Sequence, residues 1–281
     1  MAIVNLKEVL GDASKKNYAV GCFNTINYES VKGILEAAEE IRSPVIVGIA
    51  ESQLLNVDLH SIMNILTFEA KRYSIPVVIH LDHGTSFNII KKAIELGCSS
   101  VMYDGSNLPL EKNIENTKKI ISYARPLNVS VEGEVGIMRT GNNEIANGEN
   151  AKTDLKMAEE FLIQTQVDAL AVSFGTVHGI MKKAPKLDLS LLEELQAKIK
   201  VPLVMHGGSG LGANDYQDVI KRGIRKINYF SYGYLAVANK IRALLKEKSN
   251  ILYDEITYFS VNAFKEVFEE VMKMFGSAGK V

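Results

Sequence analysis

Three of the chain's five histidines each follow a different apolar run, at the point where a β-strand would end. His83 stands in PVVIHLDHG, His178 in DALAVSFGTVHG and His206 in VPLVMHGG. Three neutral imidazoles with one open position form the ligand set of a catalytic Zn2+. A lone histidine after a strand is ordinarily a hydrogen-bonded structural residue, but three at equivalent places favour a metal. Asp82, beside His83, puts a carboxylate that can carry a proton next to that metal. The other two histidines act as controls. His80 lies inside its run, where alternation turns it to the face opposite His83, and His60 falls on a helix surface.

A second constellation is rich in glycine. The stretch His206-Gly207-Gly208-Ser209-Gly210-Leu211-Gly212 follows a strand candidate and precedes a helix expected to begin near Ala213. Backbone N–H groups in such a turn, backed by a helix N-terminus, cradle a phosphate. The next strand end, KINYFS (226–231), adds Asn228 and the Ser231 hydroxyl. Zinc polarises a ketone as a Lewis acid, and a carboxylate such as Asp82 moves a proton at the neighbouring hydroxyl. Together these groups describe chemistry on a phosphorylated carbonyl compound. Cleaving C3 from C4 of a ketose phosphate needs both functions. Asn24, Asp104 and Glu134 are further polar residues at strand ends. Asp104 in MYDGS also suits a loop cap, and Glu134 suits a partner that orients a metal-bound histidine.

The elements that must position these groups are eight short runs rich in Val and Ile: 18–23, 44–50, 76–81, 99–103, 129–135, 168–174, 201–206 and 225–230. Their nearly continuous apolar character predicts strands buried on both faces. Helical period separates them over Tyr28–Ile41, Phe87–Leu96, Ala158–Thr165 and Leu189–Ile199. Gly97 and Gly223 fall where helix C-caps belong. Eight strand–helix units predict an α/β fold, a (β/α)8 TIM barrel with additional C-terminal helices, spanning 1–281 as a single domain. A doubly wound open sheet is the runner-up, but gives no reason for eight units. In a barrel the strand ends share one rim, and a phosphate site belongs after strands seven and eight, where the glycine turn lies. The loop Ile137–Thr153 is polar and glycine-bearing, and reads as an active-site lid. The stretch 263–275 lines Phe264, Val267, Phe268, Val271, Met272 and Phe275 on one helical face, for the core or a subunit contact.

The composition excludes several classes. The 281 residues carry a net charge of −1, which disfavours nucleic-acid and membrane-surface binders. No apolar run reaches the roughly 20 residues of a membrane helix, and the N-terminal charges do not suit a signal peptide. Cys22 and Cys98 read as reduced thiols in apolar surroundings, so a cytoplasmic protein is expected.

HLDHG, VMYDGS, VEGEVG, GTVHG, HGGSG and KIN, in this order, resemble the class II zinc-dependent ketose-bisphosphate aldolases, which include fructose- and tagatose-bisphosphate aldolases. The resemblance covers essentially the whole chain. It implies zinc on His83, His178 and His206, Asp82 as catalytic acid/base, and an alternative metal position at Asp104 and Glu134. It further implies a dihydroxyacetone-phosphate end held by Gly179, Lys182, Gly207, Gly208, Ser209 and the turn Asn228-Tyr229-Phe230-Ser231, with Asn24 at the same rim. A monovalent cation, Na+ or K+, near the phosphate and a homodimer or homotetramer are also implied.

Departures from the family pattern fall mostly on the aldehyde side. Phe230 replaces a small residue, Ala50 stands where many members have Ser or Thr, and RTGNNE replaces the usual lid sequence, with Glu144 as a candidate lid acid. The C-terminal YFSVNAFKEV lacks the Arg that bisphosphate enzymes present to a distal phosphate. The expected substrate is therefore fructose or tagatose 1,6-bisphosphate or a related ketose phosphate with an altered distal group. Two other readings share some features: a metal-dependent sugar-phosphate isomerase or hydrolase, and a non-catalytic sugar-phosphate-binding paralogue. The first has no need of the phosphate cradle beside the metal, and the second has no need of Asp82.

Overall fold

Runs that are apolar on both faces become parallel strands in the computed structural model, which describes residues 3–137, 139–140, 152–181, 185–248 and 250–281. The strands are β1 (Val20–Asn24), β2 (Val45–Ala50), β3 (Val77–Gly84), β4 (Ser100–Tyr103), β5 (Ser130–Val135), β6 (Arg139–Thr140), β7 (Ala169–Val172), β8 (Val177–His178), β9 (Leu203–Met205) and β10 (Ile224–Asn228). Eight of them close in the order β1-β10-β9-β7-β5-β4-β3-β2, and β6 pairs with β8 as a separate two-stranded sheet. The parallel pairing of β1 with β10 closes the circle and excludes the open doubly wound sheet. All eight barrel strands coincide with the eight expected runs.

Among the described residues, ten helices surround or cap the barrel: α1 (Leu6–Lys16), α2 (Tyr28–Glu40), α3 (Leu59–Ala70), α4 (Phe87–Glu95), α5 (Leu110–Ala124), α6 (Leu155–Thr165), α7 (Leu189–Lys198), α8 (Ala213–Lys221), α9 (Ser231–Glu247) and α10 (Tyr253–Met274). Helices α1, α3 and α5 add to those expected from periodicity. Asn5 caps α1 by accepting from the Glu8 N–H, while Glu8 accepts from the Asn5 N–H.

Alternation along the strands sorts side chains into two layers. Val77, Ile79 and Leu81 of β3 face the surrounding helices. Val78 joins Val20, Ile46, Met102, Ala169, Ala171 and Val204 inside the barrel, where Leu6, Val9, Leu10 and Ala13 of α1 close the N-terminal end. Each fully buried leucine there contributes roughly 1.5–3 kcal/mol.

The apolar face of α10 is core: Phe264, Phe268, Val271, Met272 and Phe275 are buried, and Val267 packs at the margin. Gly33 of α2 permits the close approach, because a Cβ there would stand 2.5 Å from the Val261 carbonyl oxygen. Among the described residues no helix is long and apolar enough to cross a membrane. Both cysteines are free and buried. Cys98 has the expected apolar setting, with Sγ 3.7 Å from Met63 Sδ. Cys22 differs: burial pushes its thiol pKa up while Lys226, Asp82 and Glu132 act on it electrostatically.

Candidate active site

The C-terminal ends of the strands gather the expected polar residues around a cavity of about 270 Å3. Asn24, Asp82, His83, His178, Gly179, Gly207, Ser209, Asn228, Tyr229, Phe230 and Ser231 all line it. Gly208 does not line it; its N–H donates to the Asn228 carbonyl (3.2 Å), and a Cβ there would press on Ile227. Lys182 and Glu144 lie outside the described residues, as does most of the expected lid.

Asp82 and His83 reach the same cavity because the strand breaks its alternation. His83 adopts φ +47°, a left-handed conformation uncommon for a residue with a Cβ, and the β3–β4 register shifts between Leu81 and Gly84. Strain of this kind, about 1–3 kcal/mol, persists where the surrounding structure imposes it. His80 keeps the parity of Asp82, so it points into the barrel beneath the site rather than away from it. Its Nδ1 lies 2.9 Å from Ser100 Oγ. Burial lowers its pKa to about 3, so it is neutral. His60 is exposed on α3, as expected.

His178 is not at a barrel-strand end. It sits on β8, beyond β7, opposite Thr140 of β6. Gly207 brings it close: with φ +62°, Gly207 packs where a Cβ would stand 2.7 Å from Val177 backbone atoms. The His178 ring therefore comes within 5.0 Å of His83 and 6.1 Å of His206, centroid to centroid.

Two carboxylates aim the histidines. His83 Nδ1 lies 2.9 Å from Asp104 Oδ2, and His206 Nε2 lies 2.8 Å from Glu132 Oε1. Each carboxylate takes a ring proton, which turns the other nitrogen of each ring toward its neighbour. Those two nitrogens, His83 Nε2 and His206 Nδ1, face each other at 2.8 Å. At that distance one nitrogen must donate to the other: the protonated His83 ring gives its Nε2–H to His206 Nδ1, and a metal ion would stand in place of that proton. One nitrogen from each of His83, His178 and His206 lies within 4.8 Å of the others, so the residues fit a metal ion. Burial disfavours charge on His83, but Asp82, Asp104 and Glu134 outweigh it and raise its pKa to about 9. Burial, with His83 alongside, lowers His178 to about 3 and His206 in the same direction.

A second set shares His83: with Asp104 and Glu134 it also brings three ligand atoms within 4.8 Å. Neither carboxylate oxygen of buried Glu134 has a hydrogen-bond partner among the described residues. Burial and the Asp104 charge raise its pKa well above the usual range. Asp104 also caps its loop, since its Oδ1 accepts from the Ser106 N–H (3.1 Å) and hydroxyl (2.7 Å).

Asp82 is held in one plane. Asn24 Nδ2 donates to Oδ2 (2.7 Å), and Asn228 Nδ2 donates to Oδ1 (3.0 Å). Burial opposes its charge, but His83, His206 and Lys226 outweigh it and keep the pKa well below the carboxylate range.

Below it lie two residues that the sequence reading passed over. Lys226 Nζ reaches Glu132 Oε2 at 2.9 Å and Asn228 Oδ1 at 2.8 Å, with Lys226 and Glu132 fully buried. Alternation was the available signal, since Glu132 shares the face of Glu134 and Lys226 that of Asn228.

Of the two helices that follow the expected phosphate turns, one reaches the cavity. The helix whose first residue lines the cavity is α9, starting at Ser231, not α8. Ser231 shares that cavity with Gly207 and Ser209, and the first N–H groups of a helix suit an anion. Tyr229 lines the cavity while its ring packs on Phe268 and Phe275, at 6.3 and 6.2 Å between centroids. Phe230 packs on Tyr234 at 4.2 Å.

A sequence model described as fructose-bisphosphate aldolase class-II matches residues 4–280. The chain belongs to the class II fructose-bisphosphate aldolase family. It is 39% identical to a 6-phospho-5-dehydro-2-deoxy-D-gluconate aldolase of Bacillus licheniformis, with 100% of this chain and 97% of the relative covered. Identity to a fructose-bisphosphate aldolase of Geobacillus stearothermophilus is 37%, covering 100% and 99%. Among solved structures, the YdjI aldolase of Escherichia coli K12 superposes with a TM-score of 0.88 at 32% identity, covering 99% of both chains. This class II aldolase is thus an aldehyde-lyase whose family cleaves ketose phosphates, on a TIM barrel with C-terminal helices.

Proposed function

We propose that this aldolase is zinc-dependent and reversibly cleaves a ketose phosphate to dihydroxyacetone phosphate and an aldehyde. The observation that carries the metal is the convergence of one nitrogen from each of His83, His178 and His206 within 4.8 Å of the others. His83, His178 and His206 are the ligands, and Asp104 and Glu134 form an alternative position around His83. Zinc held there supplies Lewis-acid polarisation of a ketone.

The chain's own residues do the rest. Asp82, ionised and fixed by two amides, takes the proton from the C4 hydroxyl as the C3–C4 bond breaks. C4 becomes the aldehyde carbonyl, and the bonding electrons pass to the C2–C3 unit, whose C3 then takes up one proton to give dihydroxyacetone phosphate while Asp82 gives up the one it took. Asn228 turns its Nδ2 toward that unit and stabilises its negative charge. The phosphate is taken by the N–H groups around Gly179, Gly207, Ser209 and Ser231, with Na+ or K+ as a further partner. The protein works in the cytoplasm as a homodimer or homotetramer.

The names of the relatives support a split substrate. Fructose bisphosphate and 6-phospho-5-dehydro-2-deoxy-D-gluconate each carry a phosphate one carbon from a ketone, and they differ at the far end. We take the phosphate half as fixed and the far half as this chain's own. The test couples metal analysis to dihydroxyacetone-phosphate detection with several ketose phosphates. Release that stops on chelation and returns with Zn2+ is expected. Full activity after thorough chelation, or in His83→Ala, would remove the zinc mechanism, and an exclusive preference for fructose 1,6-bisphosphate would remove the altered far half.

A further inference from the structure

We infer that Lys226 is a positioning residue that sets the amide of Asn228 and, through it, the plane of Asp82, while holding the metal-binding His206 through Glu132. An ammonium has donors only. Nζ at 2.8 Å from the Asn228 side chain therefore requires the amide oxygen to face it. That turns Nδ2 the other way, toward Asp82 Oδ1 at 3.0 Å and His206 Nδ1 at 3.2 Å. A flipped amide would set NH2 against the ammonium and a carbonyl oxygen against the Asp82 carboxylate. Two repulsions would replace two hydrogen bonds, so Lys226 leaves one orientation.

The same ammonium fixes the metal side. It lies 3.2 Å from Glu132 Oε1 and 2.9 Å from Oε2. Oε1 is also the atom 2.8 Å from His206 Nε2, so the carboxylate that chooses the His206 tautomer is itself oriented by Lys226. One buried cation thus ties the proton carrier and a metal ligand to one reference point inside the barrel.

Stability does not explain this pair. Lys226 and Glu132 are both fully buried, and well-packed apolar residues usually replace such a pair at no cost or with a gain. Burial opposes the charge on Lys226, but Cys22, Glu132 and Asp82 outweigh it and raise its pKa.

The inference rests on the Asp82 and Asn228 roles proposed above. Its test uses the full chain loaded with Zn2+, with K226M, K226M/E132Q and N228A alone and combined. The amide oxygen that E132Q introduces can still accept from His206, so K226M/E132Q removes the buried charge pair and keeps that hydrogen bond. Where K226M alone fails to fold because Glu132 is left a lone buried carboxylate, K226M/E132Q is the variant to read. A loss of ~10–100-fold in kcat is expected in both, at unchanged zinc content. KM should stay within about threefold, since substrate binding is not what is lost. Adding N228A should cost no more than about a further twofold, because residues that act as a unit are not additive.

Wild-type kcat in K226M/E132Q would show that Lys226 only neutralises Glu132. Losses that multiply with N228A would show that it acts independently of that amide. Either result overturns the inference. The two failures are separable: Asp82→Ala at full turnover removes the proton-carrier role itself, whereas inactive Asp82→Ala beside active K226M/E132Q removes only Lys226.

Discussion

Toward the N-terminal ends of the strands the barrel interior includes Val20, Ile46, Val78 and Ala169, sealed by Leu6, Val9, Leu10 and Ala13 of α1. Toward the C-terminal ends the same strands present Asn24, Asp82, Glu134 and Asn228, and the next residue after β9 is His206. Between them run Cys22, His80, Glu132 and Lys226. The lower half satisfies packing and makes no polar demand. In the upper half, buried Glu134 keeps two oxygens without hydrogen-bond partners among the described residues, and three imidazole nitrogens converge within 4.8 Å. A barrel divides its labour in this way: the lower half gives stability and the upper half carries uncompensated polarity where a ligand can compensate it. Substitutions in the two halves should therefore fail differently.

The largest expected effect is in the upper half. Asp82→Ala should lower kcat by ~10^2–10^4, the usual span for a lost general acid or base. Its zinc content should match wild type, and its melting temperature should fall modestly, because the amides of Asn24 and Asn228 lose their acceptor. Turnover near wild type would reject the proton-carrier role. In the lower half, Leu10→Ala should cost about 2–5 kcal/mol in denaturant unfolding, through lost burial and an unfilled cavity. Its kcat per folded molecule should be unchanged at 25 °C. A catalytic defect in Leu10→Ala larger than its loss of folded protein would break the division between the halves.

How much of this was legible in the sequence follows the same division. The eight strands were readable because parallel strands buried on both faces need continuous Val- and Ile-rich runs, and such runs have few other uses. His83, His206 and Asp82 were readable as polar residues at the ends of those runs. What alternation alone missed was local. His83 at φ +47° lets two neighbouring residues face one cavity, so counting parity from His83 turned His80 the wrong way. His178 depends on the β6–β8 pairing and on the close approach at Gly207, neither of which strand periodicity encodes. Glu132 and Lys226 were single charges inside otherwise apolar runs, and their meaning appears only when β5 and β10 face each other across the barrel.

A smaller effect tests the upper half from outside the ligand set. Asp104→Ala removes the partner of His83 Nδ1 and one member of the second metal-ligand set. Zinc affinity measured by competition with a chelator should fall ~10–100-fold, in line with other residues that orient metal-bound histidines. Unchanged affinity would mean that Asp104 serves only its Ser106 cap.

The smallest effect subdivides the upper half. Ala50 lines the cavity and pairs in register with Asp82 across β2 and β3, with β1 between it and the β10 end that leads to Ser231. A hydroxyl added there would stand beside the aldehyde end of the substrate, not the phosphate end. Ala50→Ser should shift the ratio of kcat/KM for a ketose 1,6-bisphosphate against the matching ketose 1-phosphate by roughly fivefold, the worth of about 1 kcal/mol for one hydrogen bond. Exchange of the hydroxymethyl hydrogen of dihydroxyacetone phosphate with solvent, which uses only the phosphate half, should keep its wild-type rate. If that exchange changes as much as the substrate ratio, the two ends of the site are not independent, and the far half is not where this chain chooses its aldehyde.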